Sequence, residues 1–204
     1  KTLLPVFEEK GYFGLYKKVM EQSEEESDRM LQPLVKRILP LFEAEKLDKS
    51  SPDYWAAKSI KIFGNKTTLD KGIFSIYFFN VVKVNKGEAV FQAAGIPHAY
   101  LEGQNMELMA NSDNVLRGGL TTKHVDVQEL LKHVVFEETN PNIMLGELQS
   151  DGLERIYKSP APDFELSQIS ISSSDRYQSK AKTAEILIVI DGEVKVFEGA
   201  VSLS

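Results

Sequence analysis

Between Phe91 and Lys123 polar and ionisable side chains interrupt apolar runs more regularly than anywhere else in the chain: His98, Tyr100, Glu102, Glu107, Asp113, Arg117 and Lys123. An imidazole such as that of His98 can ligate a metal, act as a general base, or serve only as a hydrogen-bonded wall residue. One His without a second ligand nearby does not make a zinc site. Arg117 lies between the apolar pair Val115-Leu116 and the glycines Gly118-Gly119. Its planar fork suits a carboxylate, a phosphate or an enediolate oxygen, and a surface ion pair with Asp113 is the plainer alternative.

The elements that must position these groups read as strands and turns. Val81–Val84, then Asn85–Glu88, then Ala89–Ala94 have the pattern of strand, tight turn and strand, because β-branched and aromatic residues flank an Asn/Gly cluster. Gly95 and Pro97 end the second strand, which places His98 just past a strand end. Met106–Ala110 reads as a further strand, with Glu107 and Leu108 on opposite faces by the two-residue period. If Leu108 faces a core, Glu107 shares the other side with the His. Ser112-Asp113-Asn114 forms a turn cluster.

The stretches His98-Ala-Tyr-Leu-Glu-Gly103, Glu107-Leu-Met-Ala-Asn-Ser-Asp-Asn-Val-Leu-Arg117 and Gly118-Gly-Leu-Thr-Thr-Lys123 closely resemble the long signature of type I mannose-6-phosphate isomerases, zinc-dependent cupin-fold enzymes. The match over residues 98–123 is far more specific than a short motif. Gly118 stands where that family usually has Ala, and Thr122 where it usually has Pro. Gly87, Gly95 and His98 also fall on a general cupin pattern, with Ala93 in its Pro position.

The resemblance implies that His98 is one zinc ligand and Arg117 the catalytic or charge-stabilising arginine. It implies further that Tyr100, Glu107, Asp113 and Lys123 line a sugar-phosphate site or hold Arg117 in place. The implied reaction interconverts mannose 6-phosphate and fructose 6-phosphate by moving a proton through an enediolate, whose oxygen needs a cation beside it. A ligated His98 cannot also be the base, so another residue or a bound water carries the proton. The family holds one zinc per subunit with four protein ligands, three of which, a Gln-x-His pair and a Glu, lie well upstream. This chain contains no Gln-x-His, so those three are expected outside it.

On that reading the chain is an internal or C-terminal piece of a longer enzyme and is inactive alone. The expected fold is α+β: a helical subdomain followed by cupin-type antiparallel β-barrel or jelly-roll strands, incomplete at both ends. The implied domains are a helical insertion at 1–72, the second part of the catalytic cupin at 73–137, and at 138–204 a linker with the start of the C-terminal cupin. Exposed strand edges favour association. Two other readings stay open, a non-catalytic cupin that binds a sugar or sugar phosphate, and an interaction module working through Trp55 or the apolar helical stripe.

Composition bounds the rest. A chain of 204 residues that is 42% hydrophobic and 26% charged can bury one substantial core or two small ones. No run of about eighteen apolar residues occurs, so no membrane partner is expected. A net charge of −6 argues against a nucleic-acid partner. The absence of Cys excludes disulfides and thiolate ligands, and a cytoplasmic location is the default.

Along the chain, Gly14–Met20 reads as a short helix and Ser23-Glu-Glu-Glu26 as a capping box. Met30, Leu31, Leu34, Val35 and Ile38 keep one helical stripe, which Pro33 is expected to kink or divide. Ser51-Pro52-Asp53 starts another helix, with Trp55 in the core. Ile73–Val84 is a strand or a helix turn leading into one, and periodicity does not separate the two. Asp126–His133 reads as a short amphipathic helix with Leu130 and Leu131 inward. His133 suits the helix dipole, and His124 is close enough to the signature to approach a phosphate. Asn140-Pro-Asn142 and Ser159–Asp163 mark a loop-rich crossing, and Phe164–Ser172 alternates as a half-buried strand. Glu185–Ile190, Asp191-Gly192 and Glu193–Phe197 carry the strongest hairpin signal.

Overall fold

A computed structural model describes residues 2–63, 68–112, 114–198 and 201–203. The chain forms two compact units, Lys1–Gln168 and Ile169–Ser204. The first holds five helices among its described residues: α1 (Leu4–Glu21), α2 (Glu24–Glu43), α3 (Pro52–Phe63), α4 (Gly72–Phe78) and α5 (Val127–His133).

Local chemistry explains where these helices begin and end. The Ser23 hydroxyl accepts from the Glu26 amide at 3.1 Å, and Glu24, Glu25 and Glu26 fill the first turn of α2, where acids complement the helix dipole. The Glu26 side chain does not close the box; it takes Lys18 Nζ at 2.8 Å instead. Ser51 Oγ accepts from the Asp53 amide at 3.2 Å, with Pro52 in the first helical position. Asp126 caps α5 by accepting from the Glu129 amide at 3.0 Å.

The helix expected over Gly14–Met20 extends back to Leu4, bent at Gly11, whose φ of 60° breaks the helical geometry. Pro33 does not divide α2, which runs as one element through both Pro33 and Pro40. Its apolar stripe, with Leu31 and Ile38 fully buried, faces Trp55, Ala56, Ala57 and Ile60 of α3 and Ile73, Phe74 and Ile76 of α4. Each buried Leu, Ile or Phe among them contributes on the order of 1.5–3 kcal/mol by leaving water. Residues 72–78, ambiguous in the sequence, are therefore a helix whose apolar run fills this core.

Arg37 clamps Asp53 with two bonds of 2.7 and 3.0 Å, and the Tyr77 hydroxyl donates to the same carboxylate at 2.8 Å, tying α2, α3 and α4 together. Burial first and this bond second push the Tyr77 phenol up. Trp55 is a core residue, 8% exposed, with its indole N–H satisfied by the Lys49 carbonyl at 2.7 Å. A second small core joins Tyr16 and Met20 of α1 to Leu130 of α5.

The strands are short. β1 (Ala89–Val90) pairs antiparallel with β2 (Ile143–Met144), register Ala89 with Met144. β3 (Glu147–Leu148), β4 (Glu154–Tyr157) and β5 (Leu166–Ile169) form a second sheet in that order. These elements correct three expectations. The turn at Asn85–Glu88 forms, with the Glu88 amide bonded to the Asn85 carbonyl at 3.0 Å, but Val81–Val84 is not a strand, and β1 pairs with a distant segment. Met106–Ala110 is irregular, and Leu108 is 39% exposed, so it faces no core. The crossing expected after Asn140 contains β2, β3 and β4, each too short for a two-residue period to register.

In the second unit β6 (Val196–Glu198) pairs with β7 (Val201–Leu203). The hairpin expected about Asp191-Gly192 is not formed: Ile186–Ile190 is irregular and each of its side chains is at least 51% exposed. A two-stranded ribbon needs a third strand or a helix to cover its apolar face, and among the described residues Ile186–Ile190 has neither. The described strands make sheets of two, three and two strands, and no closed barrel is present among them.

Candidate functional site

Residues 95–112 and 114–123 form irregular chain held to the helices at three places, all in the first unit. At its start Gly95, with φ of +80°, lies against the C-terminal end of α5, and its carbonyl accepts from the Val135 amide at 2.9 Å. In the middle, Glu102 takes ion pairs from Lys49 and from Lys58 of α3. These hold its carboxyl down to about 2, with Lys49 the larger cause. At its end Gly119 and Leu120 pack on the start of α4, where Asp70 Oδ1 accepts from the amides of Leu120 at 2.9 Å and Gly72 at 2.8 Å.

His98 therefore sits eight residues beyond the end of β1, on irregular chain rather than at a strand end. It is exposed, its Nδ1 lies 2.9 Å from the Ile96 carbonyl, and its ring meets that of Tyr100 edge-on at 6.3 Å. An imidazole that donates from Nδ1 to a backbone carbonyl keeps its Nε2 lone pair available to a metal. No group of three His, Asp or Glu that could hold a metal occurs among the described residues. The described residues do not complete a metal centre around His98.

Tyr100 and Glu107 come together. Partial burial first and a hydrogen bond to the Glu107 carboxylate second hold the Tyr100 phenol above its ordinary value, although the side chain as a whole is 64% exposed. Arg117 is half-buried and Lys123 exposed. Among the described residues neither has a side-chain hydrogen-bond or ion-pair partner. Asp113 lies outside the described residues. His133 bonds Glu129 within α5 at 2.9 Å, and His124 is exposed. A cleft of about 490 Å³ at the end of α2, lined by Phe42, Leu47, Tyr54 and Lys61, contains none of these residues.

Sequence reasoning did not find Lys49, Lys58, Asp70 or Tyr16 as supports of this stretch. Each reaches it from more than forty positions away, and no local spacing announces such a contact.

No protein-family model matches the chain. Mannose-6-phosphate isomerase of Escherichia coli (strain K12) is 38% identical over 157 residues, 77% of this chain and 39% of that relative. The human enzyme of the same name is 38% identical over 130 residues, 61% of this chain and 31% of its own length. Among solved structures, a mutant phosphomannose isomerase from Salmonella typhimurium aligns with a TM-score of 0.65 at 31% identity, over 81% of this chain and 41% of that one. The apo form of mannose 6-phosphate isomerase from the same organism gives a TM-score of 0.61 at 32% identity. No helix among the described residues is long and apolar enough to cross a membrane. By sequence and by fold the chain is a relative of the mannose-6-phosphate isomerases, spanning 39% of the length of the E. coli enzyme.

Proposed function

We propose that this chain is part of a zinc-dependent aldose–ketose isomerase that interconverts mannose 6-phosphate and fructose 6-phosphate. The observation that carries the reading is the 38% identity over 157 residues to proteins named for that activity. On this reading residues 1–72 are a helical insertion, 73–137 the second part of the catalytic cupin barrel, and 138–204 a linker and the start of a C-terminal cupin. The protein works in the cytoplasm, and exposed strand edges allow association.

Zinc, when bound, polarises the sugar oxygens and stabilises negative charge on them. His98 would offer it Nε2, with the remaining ligands supplied from outside the described residues. Arg117 faces the oxygen that becomes negative as the proton passes between C1 and C2. A planar guanidinium is most effective where charge develops. Lys123 adds positive charge for the phosphate, Asp113 helps orient Arg117, and Tyr100 and Glu107 line the sugar. With His98 committed to the metal, another group carries the proton.

The test is a coupled isomerase assay with added zinc on the full-length enzyme, its Arg117→Ala variant and the 204-residue chain. The full-length enzyme is expected to turn over, Arg117→Ala to lose on the order of 10²–10³ in kcat, and the chain alone to be inactive. Sugar-phosphate binding without turnover by the full-length protein would replace this reading with a non-catalytic sugar-phosphate binder. Turnover by the chain alone would show that the ligand assignment is wrong.

A further inference from the structure

Gly118, next to Arg117, has no room for a side chain. A Cβ placed there would lie 2.7 Å from Tyr16 Oη and 3.8 Å from Leu130 Cδ2. Non-bonded carbon and oxygen atoms do not sit that close, so either the phenol or the backbone at 118 must move. The phenol has little freedom. Tyr16 is 6% exposed, its ring centroid lies 6.4 Å from that of Phe79 and 5.9 Å from that of Phe136, and Ser75 of α4 lies near its hydroxyl. The ring is thus enclosed by α1, α4 and the chain beyond α5.

The backbone on the other side is equally committed. Gly119 has φ of +123°, and a Cβ there would meet the Gly72 backbone at 2.6 Å. Leu120 is one of two non-glycine residues with positive φ, at 51°, among the described residues, and its amide is bound by Asp70. Residues 118–120 are therefore gripped between the α1 phenol and the start of α4. Arg117 directly precedes this grip.

We propose that Tyr16 is a positioning residue for Arg117: its hydroxyl, seated against Gly118, fixes the backbone from which the guanidinium projects. The inference rests on the catalytic role proposed for Arg117. A larger residue at 118 is tolerated only if the Tyr16 hydroxyl is removed.

Three variants of the full-length enzyme test this: Gly118→Ala, Tyr16→Phe and the pair. Steady-state isomerase kinetics and thermal midpoints are read for each. Gly118→Ala is expected to lower kcat about tenfold or more, since small displacements of a positioned group are costly, while KM changes less than about twofold. In the double variant kcat is expected to return to the value of Tyr16→Phe alone, because Phe keeps every ring contact and lacks the clashing atom. A Gly118→Ala variant with wild-type kcat overturns the inference, as does a loss that Tyr16→Phe does not reverse. Should Gly118→Ala fail to fold, restoration of the thermal midpoint and of kcat by Tyr16→Phe supports the contact, and failure to restore them overturns it. Arg117→Ala, run beside them, separates the two claims: wild-type kcat in that variant removes the role of Arg117 itself.

Discussion

The Glu102 carboxylate accepts from Lys58 Nζ at 2.5 Å, which fastens the middle of residues 98–123 to helix α3. Lys49 approaches the other carboxylate oxygen, and each lysine also lies over an aromatic ring, Lys58 at 5.3 Å from the Trp55 centroid and Lys49 at 5.9 Å from that of Tyr54. These ring contacts restrict the lysine side chains, which lowers the entropic cost that usually offsets a surface ion pair.

This arrangement has a pH signature. The Glu102 carboxyl is depressed from 4.5 to about 2 in the folded chain, so it binds its proton more readily unfolded. Its contribution to stability is present above pH 4.5 and is lost as pH falls toward 2. In urea titrations the midpoint gap between wild type and Glu102→Gln is expected to be largest above pH 4.5, to close toward pH 2, and to narrow in about 1 M salt, where the Debye length is about 3 Å. A gap independent of pH would mean that the ion pairs do not form in solution.

Gly95 makes a prediction about the approach to His98. An added Cβ would lie 2.7 Å from the His133 carbonyl and 3.1 Å from Val135 Cγ2, at a φ of +80° that other residues rarely adopt. Gly95→Ala is expected to destabilise the chain by roughly 1–3 kcal/mol and to speed exchange of the Val135 amide, which the Gly95 carbonyl binds. Unchanged urea stability together with a protected Val135 amide would show that α5 and this turn are not in contact.

What the sequence made legible was local. Ser23, Ser51 and Asp126 announce helix starts because a cap bonds an amide two or three residues on, and all three do so. The Leu31 and Ile38 stripe and Trp55 were readable as core because a buried helix face repeats at a fixed period. The strands were not. β1 finds its partner at Ile143 and Met144, and Ile186–Ile190 has the composition of a strand without a neighbour among the described residues to make it one. A strand is completed by a distant segment, so a correct local pattern can still pair elsewhere or not at all. For the candidate site, residues 98–123 declared themselves by type and order. Their supports, Tyr16, Lys49, Lys58 and Asp70, carried no local signal.

Asp70 concentrates this dependence in one atom. Its Oδ1 binds both the Gly72 amide that opens α4 and the Leu120 amide at the close of the candidate stretch. Leu120 at φ 51° holds a conformation that costs on the order of 1 kcal/mol or more and needs fixed surroundings to persist. Asp70→Ala is expected to leave two amides without an acceptor, at about 1–3 kcal/mol for each that stays buried, and to release Leu120 from its strained conformation. Asp70→Asn keeps a carbonyl oxygen at the same position and is expected to recover most of the loss. Chemical denaturation of the three proteins measures the first effect, and amide exchange at Leu120 the second. If Ala and Asn destabilise equally, the carboxylate acts through its charge. If neither changes Leu120 exchange, the close of the candidate stretch is held by the glycine packing at Gly72 and Gly119 alone, and Asp70 serves only the start of α4.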